Sequence, residues 1–183
     1  MRSFDRPTTP VTAPSAWVVR FAGLIPAGGP VLDLACGDGR HARYFADRGH
    51  PVTAVDIDVQ GVADLAGQPG VEVLEADLEA GPWPFKPECF AGIVMTNYLH
   101  RPHFVVLPGT LRPGGVLIIE TFAAGNELLG RPRNPDFLLA AGELPTAFDS
   151  TLQVVAYEHA REESPRPAIR QRICAVRQAV GAP

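Results

Sequence analysis

Residues 32–42 read LDLACGDGRHA. The apolar run 31–35 enters glycines spaced Gly37-x-Gly39-x-x-Ala42, and Ala42, Phe45 and Ala46 then recur at helical spacing up to Gly49. Strand, glycine turn and helix in that order suit a nucleotide-type ligand, because glycine lets the backbone approach it closely and turn sharply. The stretch also carries Asp33, placed where the strand hands over to the turn. An ionised acid beside this turn repels a pyrophosphate. At ~4 Å and an effective dielectric near 20, one such charge pair costs about 4 kcal/mol. The glycines alone suit a phosphate-bearing ligand; the acid favours a cationic one.

Outward from this stretch, strand-like and helix-like segments alternate. PVTAVDI (51–57), VEVLEAD (71–77) and FAGIVMTN (90–97) read as further strands, and LRPGGVLIIETF (111–122) as a proline-glycine turn feeding a fifth. Between them, 38–49 reads as a helix, 59–67 as a weak one, and 103–111 as a third. Ser15 is placed to cap a short helix whose Trp17, Val18 and Phe21 share one face. Buried strands alternating with helices predict an α/β fold: a doubly wound, mostly parallel, Rossmann-like sheet with helices on both faces. After residue 123 a proline-rich stretch leads to two strand-like runs, 152–160 and 168–180, expected to pair as an antiparallel hairpin at the sheet edge. Residues 1–14, with prolines at 7, 10 and 14, read as a loose arm, and 15–183 as one domain.

Composition narrows the partners. The formal charge of −4 gives no reason to expect nucleic acid or an anionic membrane. Of the 16 basic residues all but Lys86 are arginine, so an isolated Arg carries little weight. Cys36, Cys89 and Cys174 are too scattered for a disulfide framework or a zinc knuckle, and His100 with His103 lacks a third ligand, so no metal is expected. Neither a secretory leader nor an apolar run long enough to span a bilayer is visible, and a cytoplasmic location is expected. No second substrate-carrying segment is visible either, which favours a small-molecule acceptor over a protein or folded nucleic acid.

The ligand follows from three acids that close three successive strands. Ligands of open α/β sheets sit beyond the carboxyl ends of the strands. S-adenosylmethionine carries an ammonium and a sulfonium but no phosphate, and Asp33 would attract it. Asp56 ends the second strand, where a carboxylate accepts ribose hydroxyls. Asp77 could take the adenine amine, with Ile57 or Leu78 against the ring. Asp33 and Asp56 have a plainer reading as caps of their own turns, and Asp77 as a solvated acid in an acidic stretch.

VLDLACGDG, AVDID, EADLE, IVMTNYL and LRPGGVLIIETF, in that order, resemble the successive motifs of class I S-adenosylmethionine-dependent methyltransferases. The likeness runs from Val31 to Phe122. It implies a seven-stranded sheet whose last strand is antiparallel and inserted between the fifth and sixth. It also implies that Asp33, Gly37, Gly39 and Asn97 face the methionine part, Asp56 the ribose and Asp77 the adenine. The small size and NYLHRP resemble the branch related to tellurite-resistance methyltransferases. That likeness implies His100 and Arg101 as catalytic candidates and Arg131 and Arg133 as substrate-binding ones, with a small oxyanion such as tellurite as a possible acceptor. Arg170 and Arg172, two apart on a strand, are expected on a solvated face; a helix N-terminus near Cys36 would lower its thiol pKa, while a small residue fitting tight packing is the more economical account of it. A non-catalytic donor-binding module and a nicotinamide-dependent oxidoreductase are the rival readings, and the oligomeric state is left open.

Overall fold

A computed structural model describes residues 12–178. Most of the expected arm, residues 1–11, lies outside the described residues.

The apolar run at 31–34 becomes β1 (Val31–Leu34), buried at all four positions. A strand with no polar edge to show to water must have neighbours on both sides and layers on both faces. Those neighbours are β2 (Val52–Asp56) and β4 (Phe90–Thr96), both parallel to it. Outside β2 lies β3 (Val71–Glu75), and beyond β4 lies β5 (Leu111–Phe122). The pairing of β4 with β5 slips between Phe90 and Gly92, which absorbs the Pro113–Gly115 segment into the start of the strand. The chain then forms the hairpin β6 (Gln153–Glu162) and β7 (Ala168–Val176). The sheet order is β3-β2-β1-β4-β5-β7-β6, with β7 antiparallel to both β5 and β6. The seven-stranded order and the antiparallel hairpin agree with expectation, with β6 as the edge strand and β7 inside the sheet.

Side chains alternate between two cores. Leu32, Leu34, Ile93, Met95, Leu117 and Ile119 face one layer, where α3 (His103–Thr110) and α4 (Glu143–Phe148) supply Phe104, Leu107 and Phe148. Val31, Val94, Val116 and Ile118 face the other, covered by α1 (Ala16–Phe21) and α2 (Arg40–Ala46) through Trp17, Val18 and Phe45. Ser15 caps α1 as expected, its Oγ accepting from the Trp17 N–H. The weak helix at 59–67 is a short 3-10 helix, Gln60–Leu65. Gly61 there lies so close to the Gly37 carbonyl that a Cβ would come within 2.8 Å of its oxygen.

Gly39 precedes α2 with φ +71°, and a Cβ at this position would overlap Val62 Cγ1. The residue thus meets both a left-handed backbone and a neighbouring layer. Gly39→Ala is expected to lower stability by about 2–4 kcal/mol, from left-handed strain plus overpacking, and the melting temperature by roughly 5–15 °C. An unchanged melting curve would contradict this account of the turn.

Candidate functional site

From β1 the sheet grows in both directions, to β2 on one side and β4 on the other. No connection then crosses the carboxyl ends of β1 and β4, and a crevice is left there. It is a cavity of about 1130 Å³, and Gly37, Asp56, Ile57, Asp77, Leu78 and Asn97 all line it.

The β1 loop and the end of β2 hold each other. Gly37, at φ +55°, donates its N–H to Asp56 Oδ2 at 2.8 Å, while Asp56 Oδ1 accepts from the Asp58 N–H at 3.1 Å. Each carboxylate oxygen has a second lone-pair direction, so capacity remains for ligand hydroxyls. Asp77 Oδ1 takes the N–H groups of Glu79 and Ala80, capping the turn after β3. Ile57 is 65% exposed on the cavity wall, an unusual place for a large apolar side chain unless an apolar ring covers it. Leu78 is buried in the same wall. Asn97, at φ +55°, accepts on Oδ1 from the Arg170 guanidinium at 2.6 Å.

Asp33 stands elsewhere. It is fully buried and does not line the cavity; its Oδ2 accepts the Ala42 N–H at the start of α2 at 2.8 Å. Burial pushes its carboxyl up to about 8, so at neutral pH the group is mostly protonated. The charge expected to repel a pyrophosphate and attract a sulfonium is therefore missing. His41 Nδ1 lies 3.8 Å from Asp33 Oδ1, and its Nε2 accepts the Ser15 N–H at 3.1 Å. Burial lowers that imidazole to about 4, so the pair is neutral on both sides. Gly39 also lies outside the cavity lining. The expectation for Cys36 reverses: it lines the cavity, but burial, Asp33 and Asp56 push its thiol up to about 12.

The expected catalytic pair separates. Arg101 binds Glu143 through two donors, at 2.6 and 3.0 Å, and gives others to the carbonyls of Asp136 and Leu138. Its guanidinium ties the segment before α4 to the start of α3, and it does not reach the cavity. His100 stands behind Glu79, 3.9 Å from Oε2, with its ring 4.5 Å from that of His103. Arg131 and Arg133 line a separate open hollow of about 630 Å³.

One residue, Arg40, went unread in the sequence, and two, Arg170 and Arg172, were expected on a solvated face that the structure does not give them. Arg40 lines the cavity directly after the glycines, with a long 3.4 Å contact to Thr96 Oγ1. Its signal was visible in GDGR, but the arginine-rich composition masked it. Arg170 lies over the Phe122 ring at 4.0 Å and pairs with Glu162 and Glu120. Arg172, far from solvated, is 8% exposed and bonded to Glu120, Glu158 and Glu162. The acids opposite it across β5 and β6 were the available signal. Among the described residues no group of three or more His, Cys, Asp or Glu is arranged to hold a metal, and no helix is long and apolar enough to cross a membrane.

Comparison with known proteins assigns this arrangement. Residues 31–115 match the family described as a methyltransferase domain. This match and the relatives below support a class I S-adenosylmethionine-dependent methyltransferase. Among its relatives, malonyl-[acyl-carrier protein] O-methyltransferase of Serratia marcescens is 35% identical over 104 residues, 54% of this chain and 40% of that protein. The tRNA U34 carboxymethyltransferase of Methylococcus capsulatus is 34% identical over 113 residues, 55% of this chain and 34% of that one. The chain thus spans less than half the length of these relatives. Among solved structures, TehB of Haemophilus influenzae superposes with a TM-score of 0.75 at 21% identity, covering 92% of this chain and 64% of TehB. The 1,6-didemethyltoxoflavin-N1-methyltransferase of Burkholderia thailandensis, solved with its substrate and S-adenosylhomocysteine, gives 0.68 at 19% identity, covering 88% and 76%. The tRNA-directed relative leaves the charge-based expectation against nucleic acid without support from the comparisons.

The raised carboxyl of Asp33 has a consequence for stability. The folded state holds that proton more tightly than the unfolded chain, so its contribution is full below pH ~4 and is lost as pH rises through about 8. Asp33→Asn keeps the acceptor for Ala42 and removes the titration. Its melting temperature relative to the wild type is expected to climb by several degrees between pH 4 and pH 8, then level off. A difference that stays flat with pH would contradict the buried, proton-holding role.

Proposed function

We propose that this protein transfers the methyl group of S-adenosylmethionine to a small-molecule acceptor. One observation carries the reading: a single cavity at the crevice brings together a carboxylate for the ribose, apolar side chains for the ring and a second carboxylate. Asp56 accepts the ribose hydroxyls. Ile57 and Leu78 hold the adenine between them, and Asp77 accepts from its exocyclic amine. Arg40, directly after the glycine turn, lines the cavity and binds the donor's carboxylate. Asn97, held by Arg170, marks the methionine end.

When bound, the donor supplies an activated methyl group on a sulfonium leaving group. The residues therefore have mainly to align an acceptor behind that methyl group and keep water away. No charged catalytic pair of His100 and Arg101 is required. The relatives named for malonyl-[acyl-carrier protein] and tRNA U34 make macromolecular acceptors worth testing beside small ones.

The test is release of S-adenosylhomocysteine over a panel of acceptors that includes tellurite, selenite, small alcohols, amines and thiols, an acyl-carrier protein and tRNA. Turnover on a small acceptor is expected. Asp56→Ala is expected to raise the donor KM at least about 30-fold, the loss of two charge-assisted hydrogen bonds. A donor KM within about threefold of the wild type would contradict the ribose assignment. Donor binding without turnover on any acceptor would favour the non-catalytic module instead.

A further inference from the structure

A second cavity, of about 290 Å³, adjoins the first and shares Glu79, Asn97 and Tyr98 with it. Any group passed between the two must cross at these three side chains. Apart from Thr121, the rest of the wall is apolar, from Leu99, Phe122, Pro132 and Phe137. Two aromatic rings, a proline and a leucine suit the faces of a flat ring, which gains from both apolar burial and ring contacts.

The charges run against an anion. Among the described residues, no Lys or Arg lines this second cavity. Arg170 crosses the Phe122 ring, but its donors face Asn97, Glu120 and Glu162. Arg101 is held by Glu143, and Arg131 and Arg133 line not this cavity but a neighbouring hollow that shares Pro132 and Phe137 with it. The one charged side chain at the crossing is Glu79, itself about half exposed. An oxyanion entering here would meet a carboxylate and no lining cation. Tyr98, the other ionisable group, has its phenol pushed up by burial and by Glu79, and its hydroxyl lies 3.3 Å from Nε2 of His103, an imidazole that burial holds neutral. It can donate or relay a hydrogen bond, but it is no base.

Resting on the donor assignment above, we propose that this second cavity takes an uncharged aromatic acceptor whose nucleophilic oxygen or nitrogen carries a proton, and that Glu79 accepts that proton. The acceptor's lone pair forms the new bond to the methyl carbon as the carbon–sulfur bond breaks with its electron pair onto sulfur. The acceptor's proton passes to a Glu79 carboxylate oxygen and from there to solvent, which the exposed side of Glu79 reaches. His100, beside Glu79, is a positioning residue for that carboxylate.

The experiment is calorimetric titration of the S-adenosylhomocysteine-saturated full chain with 2-naphthol and, separately, with tellurite. 2-Naphthol is expected to bind with a Kd below about 1 mM, the range open to a ligand of its size. Phe137→Ala and Glu79→Gln are each expected to weaken it at least about fivefold, through lost ring contact and a lost charge-assisted hydrogen bond respectively. Tellurite is expected not to bind. Absence of 2-naphthol binding, binding of tellurite in its place, or unchanged affinity in either variant would overturn the proposal. Failure of S-adenosylhomocysteine itself to bind the wild type would overturn the donor assignment instead.

Discussion

The sheet grows outward from β1 in two directions, and that reversal is the constraint from which the site follows. Had β2 and β4 lain on the same side, a connection would cross the carboxyl end of β1 and fill the crevice. As built, the loop after β1 stands open. Its position is then settled by one short contact, from the Gly37 N–H to the carboxylate at the end of β2. The carboxylate proposed for the ribose hydroxyls thus also shapes the turn beside it. For the same reason the cavity is largely formed before anything enters it.

A second constraint ties distant segments to that crevice. Glu120 on β5 accepts from Ser15 Oγ at 2.8 Å and from Arg172 Nε at 2.8 Å, deep in the structure. The first bond anchors the cap of α1, and the second anchors β7. Arg172 also binds Glu158 and Glu162 on β6, so the edge hairpin and the N-terminal helix share one buried carboxylate. The Glu120 carboxyl stays below its ordinary range because Arg172 and Ser15 outweigh its burial. Arg170, two residues before Arg172 on β7, reaches Asn97 in the cavity, and Pro165 and Arg166 of the hairpin turn line it. The terminal hairpin is therefore part of the site as well as the sheet edge.

Much of this was legible in the residues because buried parallel strands must be apolar and glycine turns must be glycine. VLDL, VTAVD and FAGIVMT announced themselves, as did the acids that close β2 and β3. Burial of a polar residue inside an apolar run was harder to read. Asp33 has the position of a ligand-binding acid, yet the pleat turns it to the face of Val31, where α2 meets it and removes its charge. Arg101 follows His100 in sequence, but at the start of α3 the two side chains go to different partners. Alternation on β7 suggested a solvated arginine face; a strand between β5 and β6 has no such face to spare. The second cavity was the least legible part, since its walls come from the loops after β3 and β4, the end of β5 and the proline-rich stretch, with no common spacing.

The central claim is that the crevice is built for a methionine-bearing adenosine and not for a dinucleotide, even though Asp33 supplies no charge to exclude one. Calorimetric titration of the wild-type protein with S-adenosylhomocysteine, and in parallel with NADH and NADPH, tests it most directly. The account predicts a Kd on the order of micromolar for the sulfur ligand, about −8 kcal/mol, and no heat from either nicotinamide. Binding of a nicotinamide nucleotide with none of S-adenosylhomocysteine would contradict it.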